Sequence, residues 1–218
     1  VRWWQGTKTI YAIGRNYAAH AAELKNPIPK EPFWFLKPVS AIIPGDGTAA
    51  HRCFPGRPNT HHEVELGVVI GQSGSSIPAE AAFSHIRGFT LALDMTDRTG
   101  QSVVKQESKP WTQCKGWDTS CVLSEMADVD TQQPIAWQEW DMWLKVNGKE
   151  RQRVQCGEML VGIPELIAAV SRVHTLHPGD VILTGTPEGV GACVPGDVIT
   201  AGVHQLPQLN IEVPVIGS

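Results

Sequence analysis

Residues 59–72, NTHHEVELGVVIGQ, put two acids, Glu63 and Glu65, at the front of an apolar run. Side chains alternate between the faces of a strand, so this spacing sends Glu63 and Glu65 to one face and Val64, Leu66, Val68 and Ile70 to the other. Two carboxylates aimed at one point repel each other, and the cost grows as water is excluded. Something cationic is expected between them, and a divalent metal is the simplest candidate. The run therefore predicts a buried strand with an acidic site at its start.

The rest of the chain supplies a sheet for such a strand. Short β-type segments, separated by many of the 21 Gly and 16 Pro residues, recur from TIYAIG (9–14) to LNIEVPV (209–215). This pattern predicts an α+β fold that is predominantly β, with a few short helices. Helices are expected at RNYAAHAAEL (15–24), at IPAEAAFSHI from Pro78, weakly at DRTGQSVVKQES (97–108) and most clearly at IPELIAAVSRVHTL (163–176). Residues 109–127 read as an irregular loop facing the substrate. The segment DMWLKVNGKERQRV reads as a hairpin turned at Asn147-Gly148. With 218 residues and 42% hydrophobic content, one domain spanning 1–218 is expected, with residues 1–45 as an N-terminal segment.

Composition narrows the function classes. A net charge of −4 with no basic tract disfavours nucleic acid and anionic membrane surfaces as partners. No apolar run approaches the length of a membrane helix, and the start VRWWQGTKTI has no signal-peptide core. Five scattered cysteines without a CxxC pair read as reduced thiols of a cytoplasmic protein.

A third acid, Asp94, closes the apolar stretch RGFTLALDMT. Taken alone it is a helix or turn cap. Together with Glu63 and Glu65 it completes the oxygen-rich ligand set that Mg²⁺ or Mn²⁺ prefers. His61 and His62 are further ligand candidates, although orienting the acids or packing at the strand edge is the simpler role. His20 and Glu23, three apart on a helix, share a face and form either a surface pair or a pair that activates water. Lys115 alone reads as a solvated loop lysine. In TGTPEGVG (184–191) the glycines leave backbone N–H groups free to hold an anion.

The segments GRNYAAHAAEL, FLKP, HHEVELGVVIG, LALDMTDRTGQ, CKGWDTS, LKVNGKERQ and GDVILTGTPEGVG occur in an order that resembles the fumarylacetoacetate hydrolase family, in its short acylpyruvase-like branch. The resemblance runs from about residue 9 to the C-terminus. It implies a mixed β-sandwich roll, a homodimer, and Mg²⁺ or Mn²⁺ on Glu63, Glu65 and Asp94. By the same resemblance His20 and Glu23 activate water on a segment that orders as a lid, and Lys115 stabilises negative charge. Arg15, Tyr17, Gln101 and Thr186 fall on substrate-contacting positions. One departure stands out: where the family commonly shows ARDxQ, this chain has DRTGQ, with Thr99 in place of an acid and Asp97 before the arginine.

The activity so implied is metal-dependent C–C hydrolysis of an acylpyruvate such as fumarylpyruvate, a small 2-oxo acid that chelates the ion. The alternative is decarboxylation of oxaloacetate at the same site, or isomerisation and decarboxylation of unsaturated oxo-dicarboxylates from aromatic catabolism. A non-catalytic metal- or ligand-binding module is the reading from a different class. The presence of both His20 and Glu23 places hydrolysis first.

Overall fold

A computed structural model describes residues 2–56, 59–130 and 133–217. Among them the largest sheet has seven strands, in the spatial order Trp34–Lys37, Ile10–Ile13, Val181–Leu183, Val64–Ile70, Ile86–Asp94, Cys121–Asp128 and Ile42–Pro44. A five-stranded sheet follows the order Lys149–Gln155, Asp141–Val146, Val198–Val203, Leu206–Ile216 and His51–Arg52. A small third sheet joins Gly191–Ala192, Thr60–His62 and Thr96–Asp97. The fold is predominantly β with short helices, as the Gly/Pro punctuation predicts.

The Val64–Ile70 strand lies in the middle of the large sheet and is buried at every residue. Its even positions enter the main core. There Leu66, Val68, Leu91 and Leu93 of the large sheet join Met142, Leu144, Ile199, Ile211 and Val213 of the five-stranded one. Directly paired residues share a face. Through Ile10↔Lys37, Ala12↔Phe35 and Glu65↔Ala92, the opposite face carries Lys37, Phe35 and Glu65. A smaller cluster of Trp4, Ile10, Ala12, Ala92, Leu123 and Leu183 covers part of that face. The acids therefore stand on the side of the sheet turned away from the main core.

Several elements match their sequence signals. Asn147 and Gly148 both have positive φ, 51° and 75°, as a type I′ hairpin turn requires. The weak helical signal at 97–108 is a true helix, Arg98–Gln106, capped by Asp97, whose side chain accepts the Gly100 N–H. The five cysteines are all buried. Among the described residues no helix is long and apolar enough to cross a membrane.

Others differ. The expected loop 109–127 is irregular only in part. Thr112–Lys115 is a short helix, and Cys121–Asp128 is a strand held between Ile86–Asp94 and Ile42–Pro44. Pairing on both sides overrides its mixed composition. The helix expected over 15–24 begins only at Ala18, because Arg15 takes a positive φ of 57° and Tyr17 pairs with Met159. The Pro78 segment winds as a 3-10 helix, Ala79–His85. The strongest helix stops at Ser171. Beyond it Leu176 pairs with Gly74, which draws the chain into an extended path and leaves Val173 67% exposed instead of in the core.

Candidate active site

Strand register builds the acid cluster. Glu63 directly precedes the Val64–Ile70 strand, and Asp94 ends the neighbouring Ile86–Asp94 strand. The Asp94 N–H donates to the Glu63 carbonyl at 2.8 Å, continuing the pairing Val64↔Leu93 and Glu65↔Ala92. Two residues i, i+2 on one strand and a cross-strand neighbour thus converge. One oxygen from each of the three carboxylates lies within 4.8 Å of the others, and all three residues are buried. His61 and His62 stand outside this cluster: His61 bonds Asn59 and His62 bonds Gln152.

Cations fill much of the cluster's surroundings. The Lys115 Nζ donates to Glu63 Oε2, Asp94 Oδ2 and Thr96 Oγ1, each at 2.6 Å. Lys115 is fully buried, not the solvated loop residue that its local sequence suggests. Burial alone would lower its pKa, but the charges of Asp94 and Glu63 outweigh burial and hold it above the ordinary lysine value. Arg98 donates to Glu63 and, at 2.6 Å, to Gln101. For Glu63 the upward push of burial is overcome by Lys115 and Arg98, so the carboxyl stays well below the usual range. Lys37 donates to Asp94 Oδ1 at 2.6 Å and to the carbonyl of Lys115.

Glu65 differs from its two neighbours. It accepts the Gly185 N–H at 2.8 Å, and no lysine or arginine among the described residues pairs with it. Burial, followed by the charges of Asp94 and Glu63, pushes its carboxyl well above the ordinary value. This is the acid that an added cation would satisfy. Three buried hard oxygen donors, one of them lacking a counter-charge, fit a divalent ion such as Mg²⁺ or Mn²⁺.

His20 and Glu23 meet as the spacing predicts, with His20 Nδ1 3.3 Å from Glu23 Oε2. The other carboxylate oxygen of Glu23 accepts the Gly189 N–H at 3.0 Å, so TGTPEGVG docks the Ala18–Glu23 helix beside the acids. Burial lowers the His20 pKa despite the opposing pull of Glu63 and Glu23, favouring the neutral imidazole. The loop's glycines are required by geometry. Gly185 and Gly189 have φ of 98° and 87°, and a Cβ on Gly189 would come 1.9 Å from the Arg151 carbonyl oxygen.

A single cleft is lined by Arg15, His20, Glu63, Glu65, Asp94, Gln101, Lys115 and Thr186, together with Phe35, Arg98, Lys105 and Trp111. Tyr17 does not line it. Its side chain is packed in the main core, and its hydroxyl has no hydrogen-bond partner among the described residues. Thr186 is held by the Gln152 amide at 2.9 Å. Thr99, at the position where this chain departs from the family pattern, is exposed, whereas the preceding Asp97 is the buried helix cap. Sequence reasoning passed over Lys37, Lys105 and Gln152. Lys37 lies in the segment FLKP, which by itself assigns it no role, Lys105 carries no motif beyond a single lysine, and Gln152 sits in a hairpin strand that reads as solvated.

Residues 9–214 match the family model for the C-terminal domain of fumarylacetoacetate hydrolase. The chain is 44% identical to a mitochondrial oxaloacetate decarboxylase of Dictyostelium discoideum, covering 94% of this chain and 93% of that protein. It is also 44% identical to a mitochondrial oxaloacetate tautomerase of Arabidopsis thaliana, covering 96% and 92%. Among solved structures, the fumarylpyruvate hydrolase of Pseudomonas aeruginosa in complex with Mn²⁺ and pyruvate superposes with a TM-score of 0.89. That match has 33% identity and covers 97% of this chain and 91% of that one. An acid cluster at a strand junction, a docked His–Glu pair and homology along nearly the whole chain agree: this protein belongs to the fumarylacetoacetate hydrolase family.

Proposed function

We propose that the chain acts on oxaloacetate by way of its enolate, as a decarboxylase, with keto–enol tautomerisation a second outcome of the same chemistry. The observation that carries this reading is Lys115, a buried ammonium fixed at 2.6 Å to two of the three acids. A donor preset where an oxyanion develops stabilises the transition state without reorganisation. Relatives named for oxaloacetate chemistry, at 44% identity over most of the chain, support this order over hydrolysis.

Glu63, Glu65 and Asp94 are the residues that would hold Mg²⁺ or Mn²⁺. When bound, that ion supplies Lewis-acid polarisation of the substrate's keto group. Lys115 and Arg98 then face the negative charge that moves onto the keto oxygen. In decarboxylation the C3–C4 bond breaks, CO₂ leaves, and the electron pair settles as the enolate of pyruvate, which takes up a proton at C3. In tautomerisation no C–C bond breaks, and His20, neutral and oriented by Glu23, accepts the proton from C3 for return to oxygen.

A second reading, hydrolysis of an acylpyruvate, is supported by the His20–Glu23 contact and by the fumarylpyruvate hydrolase structure. There the pair would deprotonate water for addition to the distal carbonyl. The deciding experiment follows pyruvate and enol concentrations from oxaloacetate with Mn²⁺ or Mg²⁺, beside cleavage of fumarylpyruvate. Conversion of oxaloacetate well above the metal-only background is expected. Cleavage of fumarylpyruvate with no acceleration for oxaloacetate would reverse the order of the two readings.

A further inference from the structure

The Arg98–Gln106 helix begins beside the acids and carries three cleft-lining residues, Arg98, Gln101 and Lys105. Their i, i+3, i+7 spacing places them on one face. Arg98 serves the acid end through Glu63. Seven residues of helix rise about 10 Å, so Lys105 leaves the helix two turns beyond it. The Lys105 Nζ donates to a neutral acceptor, Asn26 Oδ1, at 2.8 Å. Arg15 enters the same cleft and lies over the Phe33 ring at 5.6 Å.

Neither Lys105 nor Arg15 has a carboxylate partner among the described residues. Burial lowers the pKa of both, and the charges of Arg15 and Arg98 add to the effect at Lys105. Like charges turned into one end of a cleft, with no carboxylate paired to either, are unfavourable unless an anion joins them. Arg15 moreover holds φ at 57°, a conformation that non-glycine residues adopt sparingly and that clusters at ligand sites.

We propose that Lys105 and Arg15 form a subsite for a second carboxylate of the substrate, so that the cleft selects dicarboxylic over monocarboxylic 2-oxo acids. This rests on the reading of the acid end as the 2-oxo acid site. A monoanion fills the acid end alone, whereas a dianion spans both ends. Charge-assisted hydrogen bonds to the second carboxylate supply the discrimination.

The test compares wild type with Lys105→Met, which keeps the aliphatic stem, and with Lys105→Arg, which keeps the charge. Steady-state kinetics on the Mn²⁺-loaded enzyme give KM and kcat for oxaloacetate, and calorimetry gives affinities for 2-oxoglutarate and 2-oxobutanoate. For Lys105→Met the KM of oxaloacetate and the Kd of 2-oxoglutarate should rise about tenfold or more. The Kd of 2-oxobutanoate should stay within about threefold, kcat should not fall, because the carboxylate held by Lys105 is the one that leaves as CO₂, and Lys105→Arg should recover most of the lost affinity. Equal weakening of both calorimetric ligands would assign Lys105 to holding the segment at Asn26 and overturn the subsite. Unchanged affinities would overturn it as well. Failure of wild type to convert oxaloacetate would count against the proposed function alone, because the two non-reacting ligands decide the subsite independently.

Discussion

Lys37 Nζ lies 2.6 Å from Asp94 Oδ1, and both side chains are buried. The same ammonium also donates to the carbonyl of Lys115, so one edge-strand residue ties a candidate metal ligand to the segment that presents Lys115. Removing one partner of a buried pair leaves a charge uncompensated and costs about 3–5 kcal/mol. Asp94 keeps Lys115 as a partner, which puts Lys37→Met near the lower end, at about 3 kcal/mol. A urea titration should show the midpoint fall with an unchanged slope. An unaltered midpoint would mean that Lys115 alone suffices for Asp94.

How far the site could be read from sequence depends on whether a residue's neighbours signal its environment. Glu63 and Glu65 were legible because strand alternation fixes their common face whatever the partner strands are. Asp94 was legible because it interrupts an apolar run. His20 and Glu23 were legible as a pair because helical spacing is local. Lys37 was not, since its role is set by the register Ile10↔Lys37 across a sheet edge, which no short window contains. The cation expected between the acids is supplied in part by Lys115, Lys37 and Arg98, three residues distant in sequence from one another. Tyr17 illustrates the opposite failure: it lies inside a motif, yet its ring belongs to the core. The Cys121–Asp128 strand was obscured because pairing on both sides, more than its own pattern, makes it a strand.

Acid should destabilise the fold through His51. Its Nδ1 faces the Thr119 carbonyl oxygen at 2.9 Å, which fixes the proton on that nitrogen, and its buried Nε2 has no hydrogen-bond partner among the described residues. Burial, only partly opposed by the Thr119 contact, lowers its pKa from 6.5 to about 4. Between those values the unfolded chain binds a proton that the folded chain refuses, so stability is lost as pH falls from about 6.5 toward 4. The full effect is about 3 kcal/mol. Unfolding free energies measured across this window should slope less steeply for His51→Asn than for wild type. Parallel slopes would remove His51 from the account.

Metal should act on stability as well as on turnover. A ligand bound only by the folded state stabilises it by about 2.7 kcal/mol at one hundred times its Kd. Mn²⁺ or Mg²⁺ should therefore raise Tm, and EDTA should reverse the rise and abolish activity. Glu65→Gln, which removes the acid without a side-chain counter-charge, should weaken metal affinity at least about tenfold, the scale of one lost charge-assisted contact. A metal-free preparation with full activity would refute metal dependence, and an unchanged metal affinity would move Glu65 out of the ligand set.

The two leading chemistries separate at His20 and Glu23. Hydrolysis needs an attacking water, and the 3.3 Å contact between the imidazole and the carboxylate provides a base with a fixed orientation. His20→Ala and Glu23→Gln should each slow cleavage of fumarylpyruvate by about 10²-fold or more. Decarboxylation of oxaloacetate requires the acid cluster and Lys115 but no water, so it should lose far less. Enol–keto interconversion, which moves a proton at C3, should follow the hydrolytic loss for His20→Ala. The Ala18–Glu23 helix is also held through Glu23 to the Gly189 N–H, so a loss of closure would depress all three reactions together. Measuring the three rates on one preparation of each variant removes differences in folding and metal content. Equal losses throughout would show that His20 and Glu23 act by keeping the helix docked over the cleft, and would end their assignment to proton transfer.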